Sequence, residues 1–248
     1  MRKYSLMVAI SFACLLAMTS QAAYLTIADS VAEFSSTQGQ DNWYYGYRLD
    51  DDGLLSGGGW GAFTHLSTYD SGNQRWQRSG SFGPPYLNLR AQHSHPDNDA
   101  TSLSGSFEFS ARRWVSEVSG EILITGTVRK TYIGDGSLGD SGDGFVLAIF
   151  KNGALYARVA GLTPLGNLDT GANIVTGGSA GAGWSYLTNM SVIVGDNIEF
   201  IHASFADITS DGAIFTGYIL QAVPEPSTVF LLLVGGGALW WKRRLFVG

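Results

Sequence analysis

Trp43, Tyr44, Tyr45 and Tyr47 crowd four aromatic rings into five positions. On a strand, side chains alternate, so Trp43, Tyr45 and Tyr47 face one way and Tyr44 the other. Rings presented to solvent in this manner can cover the apolar face of a sugar while neighbouring Asp and Asn side chains bond its hydroxyls. The same rings turned inward would fill the core of a sheet, and Trp60, Trp76 and Trp114 face the same choice.

Two other segments carry ligand-type side chains. Asp135, Asp140 and Asp143 sit in a glycine-rich stretch, and carboxylates spaced by glycine can fold around Ca²⁺, which takes six to eight oxygens. Their spacing fits no helix-loop calcium motif, and Asp and Gly also serve turns that need left-handed backbone. His93-Ser94-His95-Pro96-Asp97-Asn98-Asp99 places two imidazoles on one side of an extended segment, where they could share a metal, or mark a hydrogen-bonded turn.

Several patterns look catalytic and lack the context catalysis needs. Gly134, Gly136 and Gly139 match a dinucleotide fingerprint, but a Gly-Asp loop follows where a helix must open. Ser179 lies in Gly177-Gly178-Ser179-Ala180-Gly181, yet a strand beginning at Trp184 follows in place of the helix of a nucleophile elbow. Glycoside hydrolysis needs a facing carboxylate pair. Glu108, Glu117, Glu121 and Glu199 fall in ordinary strand patterning, so no catalytic residue is expected.

The elements that must hold these residues are strands. Short alternating or β-branched runs recur between Gly and Asp punctuation at residues 43–49, 60–66, 106–110, 120–133, 144–151, 154–160, 184–194, 197–205 and 213–222. Residues 121–128 alternate most cleanly, with Ile122, Ile124 and Val128 on one face and a largely polar side between them. Asn152-Gly153 between two such runs predicts a hairpin. Residues 167–182 read as a small-residue loop, and no amphipathic helix of useful length stands between 24 and 222. The expectation is an all-β body, a β-sandwich of jelly-roll type.

Charge narrows the partners. Five of the 15 basic residues, Arg2, Lys3, Lys242, Arg243 and Arg244, lie in the termini. The body keeps ten, against 20 of the 21 acidic residues, which argues against nucleic acid or an anionic membrane surface. The single cysteine, Cys14, lies in the N-terminal segment, so the body carries no disulfide and no thiolate site.

The two ends differ from the middle. Arg2 and Lys3 precede an apolar run, residues 6–18, and then small residues up to Ala22-Ala23. That order is the one a secretory leader has, cleaved after Ala22 and needing a Sec translocon and signal peptidase. At the other end, Pro224-Glu225-Pro226 follows Val223, an apolar run reaches Trp241, and Lys242-Arg243-Arg244 comes next. The prolines hold the motif extended, the run is a short transmembrane helix, and the cations belong on the cytoplasmic side. This tail resembles the PEP-CTERM sorting signal. The resemblance implies cleavage near the motif by an exosortase, a transient inner-membrane anchor, and final residence at the cell surface or outside it, in company with exopolysaccharide and biofilm.

Pieces of the body, residues 40–47, His95-Pro96, Arg112-Arg113-Trp114-Val115-Ser116, residues 142–145 and residues 194–200, look like a domain often found beside such a tail. That likeness implies a jelly-roll, carbohydrate-binding-like fold, from which Asp207-Ile208-Thr209-Ser210-Asp211 departs. The organisation expected is therefore leader 1–22, β-sandwich 23–222 and sorting signal 223–248. The expected role is that of a non-catalytic surface or matrix protein contacting polysaccharide at Trp43, Tyr45 and Tyr47, with no cofactor beyond a structural Ca²⁺. The alternatives are a secreted carbohydrate-active enzyme and a purely structural adhesive scaffold.

Overall fold

Alternation along three long strands sets the architecture. A computed structural model describes residues 23–50, 61–78, 86–97, 104, 106–130, 145–160, 177–179, 183–204 and 212–223. The chain divides into two units, Thr26–Leu220 and a second joining Met1–Leu25 to Gln221–Gly248. The second lies almost wholly outside the described residues, as do the leader and the sorting tail. Among the described residues no helix is long and apolar enough to cross a membrane.

The strands, in chain order, are β1 (Ala23–Asp29), β2 (Trp43–Asp50), β3 (Thr64–His65), β4 (Thr68–Asp70), β5 (Arg75–Gln77), β6 (Asn88–Leu89), β7 (His93–His95) and β8 (Phe107–Val115). They continue with β9 (Gly120–Lys130), β10 (Phe145–Lys151), β11 (Ala154–Ala160), β12 (Gly177–Ser179), β13 (Gly183–Val192), β14 (Asn197–Ser204) and β15 (Ala213–Val223). One sheet runs β12-β13-β9-β15-β7-β6-β5-β4, with β1 also paired to β15; the other runs β11-β10-β14-β8-β2-β3.

The two sheets bury a shared interior. Ile122 and Ile124 of β9, Tyr186 and Met190 of β13, and Phe215 and Ile219 of β15 meet Trp43, Tyr45, Trp114, Leu147, Ile149 and Phe200 from the second sheet. In the first sheet the alternation is clean. Ile122, Ile124 and Val128 are buried while Glu121, Thr127 and Arg129 are exposed. The second sheet buries both faces. Phe109, Ala111, Ala148, Phe150, Ile201 and Ala203 form a separate cluster on its far side, with Phe63, Phe107 and Leu155 packed against it. Such strands read as continuous apolar runs, as residues 145–150 do.

Two local devices fix the register. Asn152 and Gly153 take φ of 50° and 83°, as a tight β10–β11 hairpin requires. Gly126 has no alternative: a Cβ there would lie 2.0 Å from the Thr216 carbonyl oxygen and 2.4 Å from the Tyr186 hydroxyl.

Seven of the nine expected strands appear with ends shifted by a residue or two or running into residues outside the description. The other two differ more. The segment expected at 106–110 continues to Val115, because Arg112 and Arg113 are absorbed by partners described below. The one expected at 60–66 shrinks to Thr64–His65 within the described residues. The presumed loop 167–182 contains β12, which lies along β13. The short strands β4 to β7, and β1, were not expected.

Candidate functional site

The aromatic stripe lies in the sandwich. Trp43, Tyr45 and Tyr47 share a face of β2, as alternation requires, and that face points inward: they are 0%, 1% and 4% exposed. Tyr45 stacks on Trp76 at 5.8 Å, and Trp43 lies 6.0 Å from Phe200. Glu33 accepts from the Trp43 indole N–H at 2.8 Å, and the Ser35 N–H donates to the Tyr45 hydroxyl at 3.0 Å. Burial pushes the Tyr45 phenol up to about 12, so it stays protonated. The sugar-contact expectation for Trp43, Tyr45 and Tyr47 is corrected here: the opposing sheet covers all three rings. Trp76 and Trp114 are core as well, and Trp60 lies outside the described residues.

The two histidines stand on β7 as the extended spacing implies. The Ser94 hydroxyl between them lies 2.9 Å from Nδ1 of His202 on β14, linking the two sheets. His95 Nδ1 meets the Pro96 carbonyl at 2.6 Å. Burial, with His95, Arg90 and Arg112 nearby, lowers His93 to about 4; His95 is also lowered by burial. Among the described residues no group of three or more His, Cys, Asp or Glu is arranged to hold a metal. Asp135, Asp140 and Asp143 lie outside those residues, as do Pro224, Glu225, Pro226, Lys242, Arg243 and Arg244.

Much of the positive charge is turned inward. Glu199, fully buried on the far face of β14, takes Arg48 through Nε at 2.6 Å and Nη2 at 3.1 Å, and Arg113 through Nη2 at 2.9 Å. Arg113 also stacks over Phe63 at 3.9 Å. Glu108 takes Arg78, whose guanidinium sits 4.4 Å above the Tyr47 ring. Arg112 is different. Its guanidinium donates to the carbonyls of Ser30 (3.0 Å), Ala91 (2.6 Å) and Arg90, and burial lowers it to about 10. The Arg112-Arg113 pair is visible in the sequence, but the groups that engage it come from Ser30, the 90–91 segment and Glu199, which nothing in the run itself records.

The outer side of β13, β9 and β15 faces solvent among the described residues. Ser185, Leu187, Asn189 and Ser191 project from β13 and Thr127 from β9, all exposed. Leu123, Thr125, Thr216 and Tyr218 stand beside them, half-buried. The Thr127 and Thr216 hydroxyls bond each other at 2.9 Å, and the Thr125 hydroxyl donates to the Tyr186 carbonyl at 3.0 Å. Among the described side chains of these strands the ionised ones are Glu121 and Arg129, both on β9 and eight positions apart. The face therefore offers hydroxyls and aliphatic groups in alternation, with little charge.

Neither a family model nor a curated protein matches the chain. Among solved structures it is similar to the crystal structure of a β-glucosidase from Kluyveromyces marxianus in complex with glucose, at 8% identity and a TM-score of 0.30. The match spans 84% of this chain and 19% of that one, a likeness too slight to carry chemistry from one to the other.

Proposed function

We propose that this chain is an exported, exosortase-processed protein of the cell surface or extracellular matrix, associated with polysaccharide and without catalytic activity. One observation carries the reading: Pro224-Glu225-Pro226, an apolar run to Trp241 and Lys242-Arg243-Arg244 stand in the order a membrane-held cleavage signal needs. The leader in residues 1–22 accounts for export. β15, Ala213–Val223, leads directly into the motif, and prolines disfavour continued strand pairing, as an extended cleavage substrate needs. The body is then a jelly-roll domain delivered by a Sec translocon and signal peptidase, held briefly in the inner membrane by the C-terminal helix, and released by exosortase. A structural Ca²⁺ at Asp135, Asp140 and Asp143 belongs to the same proposal.

The purely structural scaffold is the second reading, and the burial of Trp43, Tyr45 and Tyr47 favours it, since those rings offer nothing to a ligand. Of the strand glutamates, Glu108 and Glu199 are engaged by arginines, which leaves the enzyme alternative without a free carboxylate pair at those positions.

The test is the mass of the protein recovered from an exosortase-bearing host and from its exosortase-deficient sibling. The proposal expects an N terminus at Ala23, and a C terminus near Pro224 in the first host alone. Changing Glu225→Ala with both prolines to Ala should leave the tail uncut and the protein in the membrane fraction. Full-length protein in the cytosol of both hosts overturns it.

A further inference from the structure

We propose that the outer face of β13, β9 and β15 binds neutral polysaccharide chains, a refinement that rests on the surface-protein reading. The first argument is chemical match. Sugar rings carry apolar C–H faces rimmed by hydroxyls, and this face sets Leu187 and Leu123 among Thr125, Thr127, Ser185 and Asn189. Leu187 is 48% exposed, a large aliphatic group with no partner strand above it among the described residues.

The second argument is charge. The body holds 20 carboxylates against ten cations, and of those cations Arg48, Arg75 and Arg112 are buried while Arg78 and Arg113 hold buried glutamates. Arg90 and Arg129 remain exposed, but the excess of carboxylates leaves the body net acidic, so an anionic polymer meets net repulsion. A neutral chain meets none, and among the described side chains of the face Glu121 and Arg129 are the charges that would need desolvation. Acidic polysaccharide is therefore disfavoured, and the hydroxyl-rich face selects an uncharged one.

Sedimentation with cellulose, mannan and dextran, and with alginate as the acidic control in the presence and absence of Ca²⁺, tests this on the protein as recovered from expressing cells. Binding to at least one neutral polymer and none to calcium-free alginate is expected. Leu187→Asp and, separately, Ser185→Glu should each weaken that binding at least tenfold. Ser71→Asp, in the exposed β4–β5 turn at the other end of the sheet order from β13, should leave it unchanged. Circular dichroism on each variant establishes that the fold persists, and having two substitutions on the face guards against one failing to fold. Preference for alginate, absence of binding to all polymers, or folded face variants that bind like the parent overturns the inference. Terminal masses from the same preparations separate the two claims: processed ends without glycan binding sink this inference and leave the sorting proposal standing.

Discussion

Glu199 shows how strongly a single side chain can be committed. Its carboxylate sits between Arg48 and Arg113 in a fully buried setting. Removing its charge leaves two guanidinium groups uncompensated, one of them 5% exposed. Glu199→Gln should therefore cost about 3 kcal/mol or more in urea unfolding, the range found when one partner of a buried pair is deleted. Replacing Arg48, Glu199 and Arg113 together by apolar residues of similar size should cost far less. His93 supplies a pH dependence. In the unfolded chain it takes up a proton as pH falls past about 6.5, whereas in the fold it resists until about 4. The unfolded state thus binds more protons across that window, and stability is lost as pH falls through it, by about 3 kcal/mol in total. His93→Asn should flatten the profile between pH 6.5 and 4 in denaturant titrations. A slope that persists unchanged would show that another group carries it.

At the scale of elements, Gly126 and the Tyr186 hydroxyl define how closely β13, β9 and β15 approach. Gly126→Ala drives a methyl against the Thr216 carbonyl and should cost at least about 2 kcal/mol, read as a lower melting temperature. Tyr186→Phe removes only the 2.7 Å bond to that carbonyl and should cost about 1 kcal/mol. These long strands were legible in the sequence because one face is wet: Ile122, Ile124 and Val128 alternate with Glu121, Thr127 and Arg129. The hairpin at Asn152-Gly153 was legible for its backbone chemistry. The two- and three-residue strands β4 to β7 were not, since each pairs with its neighbour in the chain but is too short to show an alternation of its own. For the candidate site, alternation placed Trp43, Tyr45 and Tyr47 on one side but could not say which side was dry. The opposing strands decide that, and no property of the stripe itself records them. The polar side of β9 was visible, whereas its joining with β13 and β15 into one broad surface depended on strand order.

At the scale of the whole molecule, the body between the two ends carries twice as many carboxylates as cations, and several of its arginines, Arg48, Arg75 and Arg112, are buried. An acidic surface keeps copies apart in solution and resists unspecific adhesion to anionic polymers. The same burial limits what salt can do. The Arg48–Glu199 pair is shielded from mobile ions, so moderate salt should leave its contribution to unfolding free energy nearly unchanged.

One placement bears on mechanics. β15, the strand that ends at Val223, is an inner member of its sheet, set between β9 and β7 and also paired with β1. A pull entering at residue 223 therefore reaches a strand tied into the interior of its sheet and not a free edge. β1, where the body begins, is laced to that same strand, so a tether at either end would draw on one shared seam.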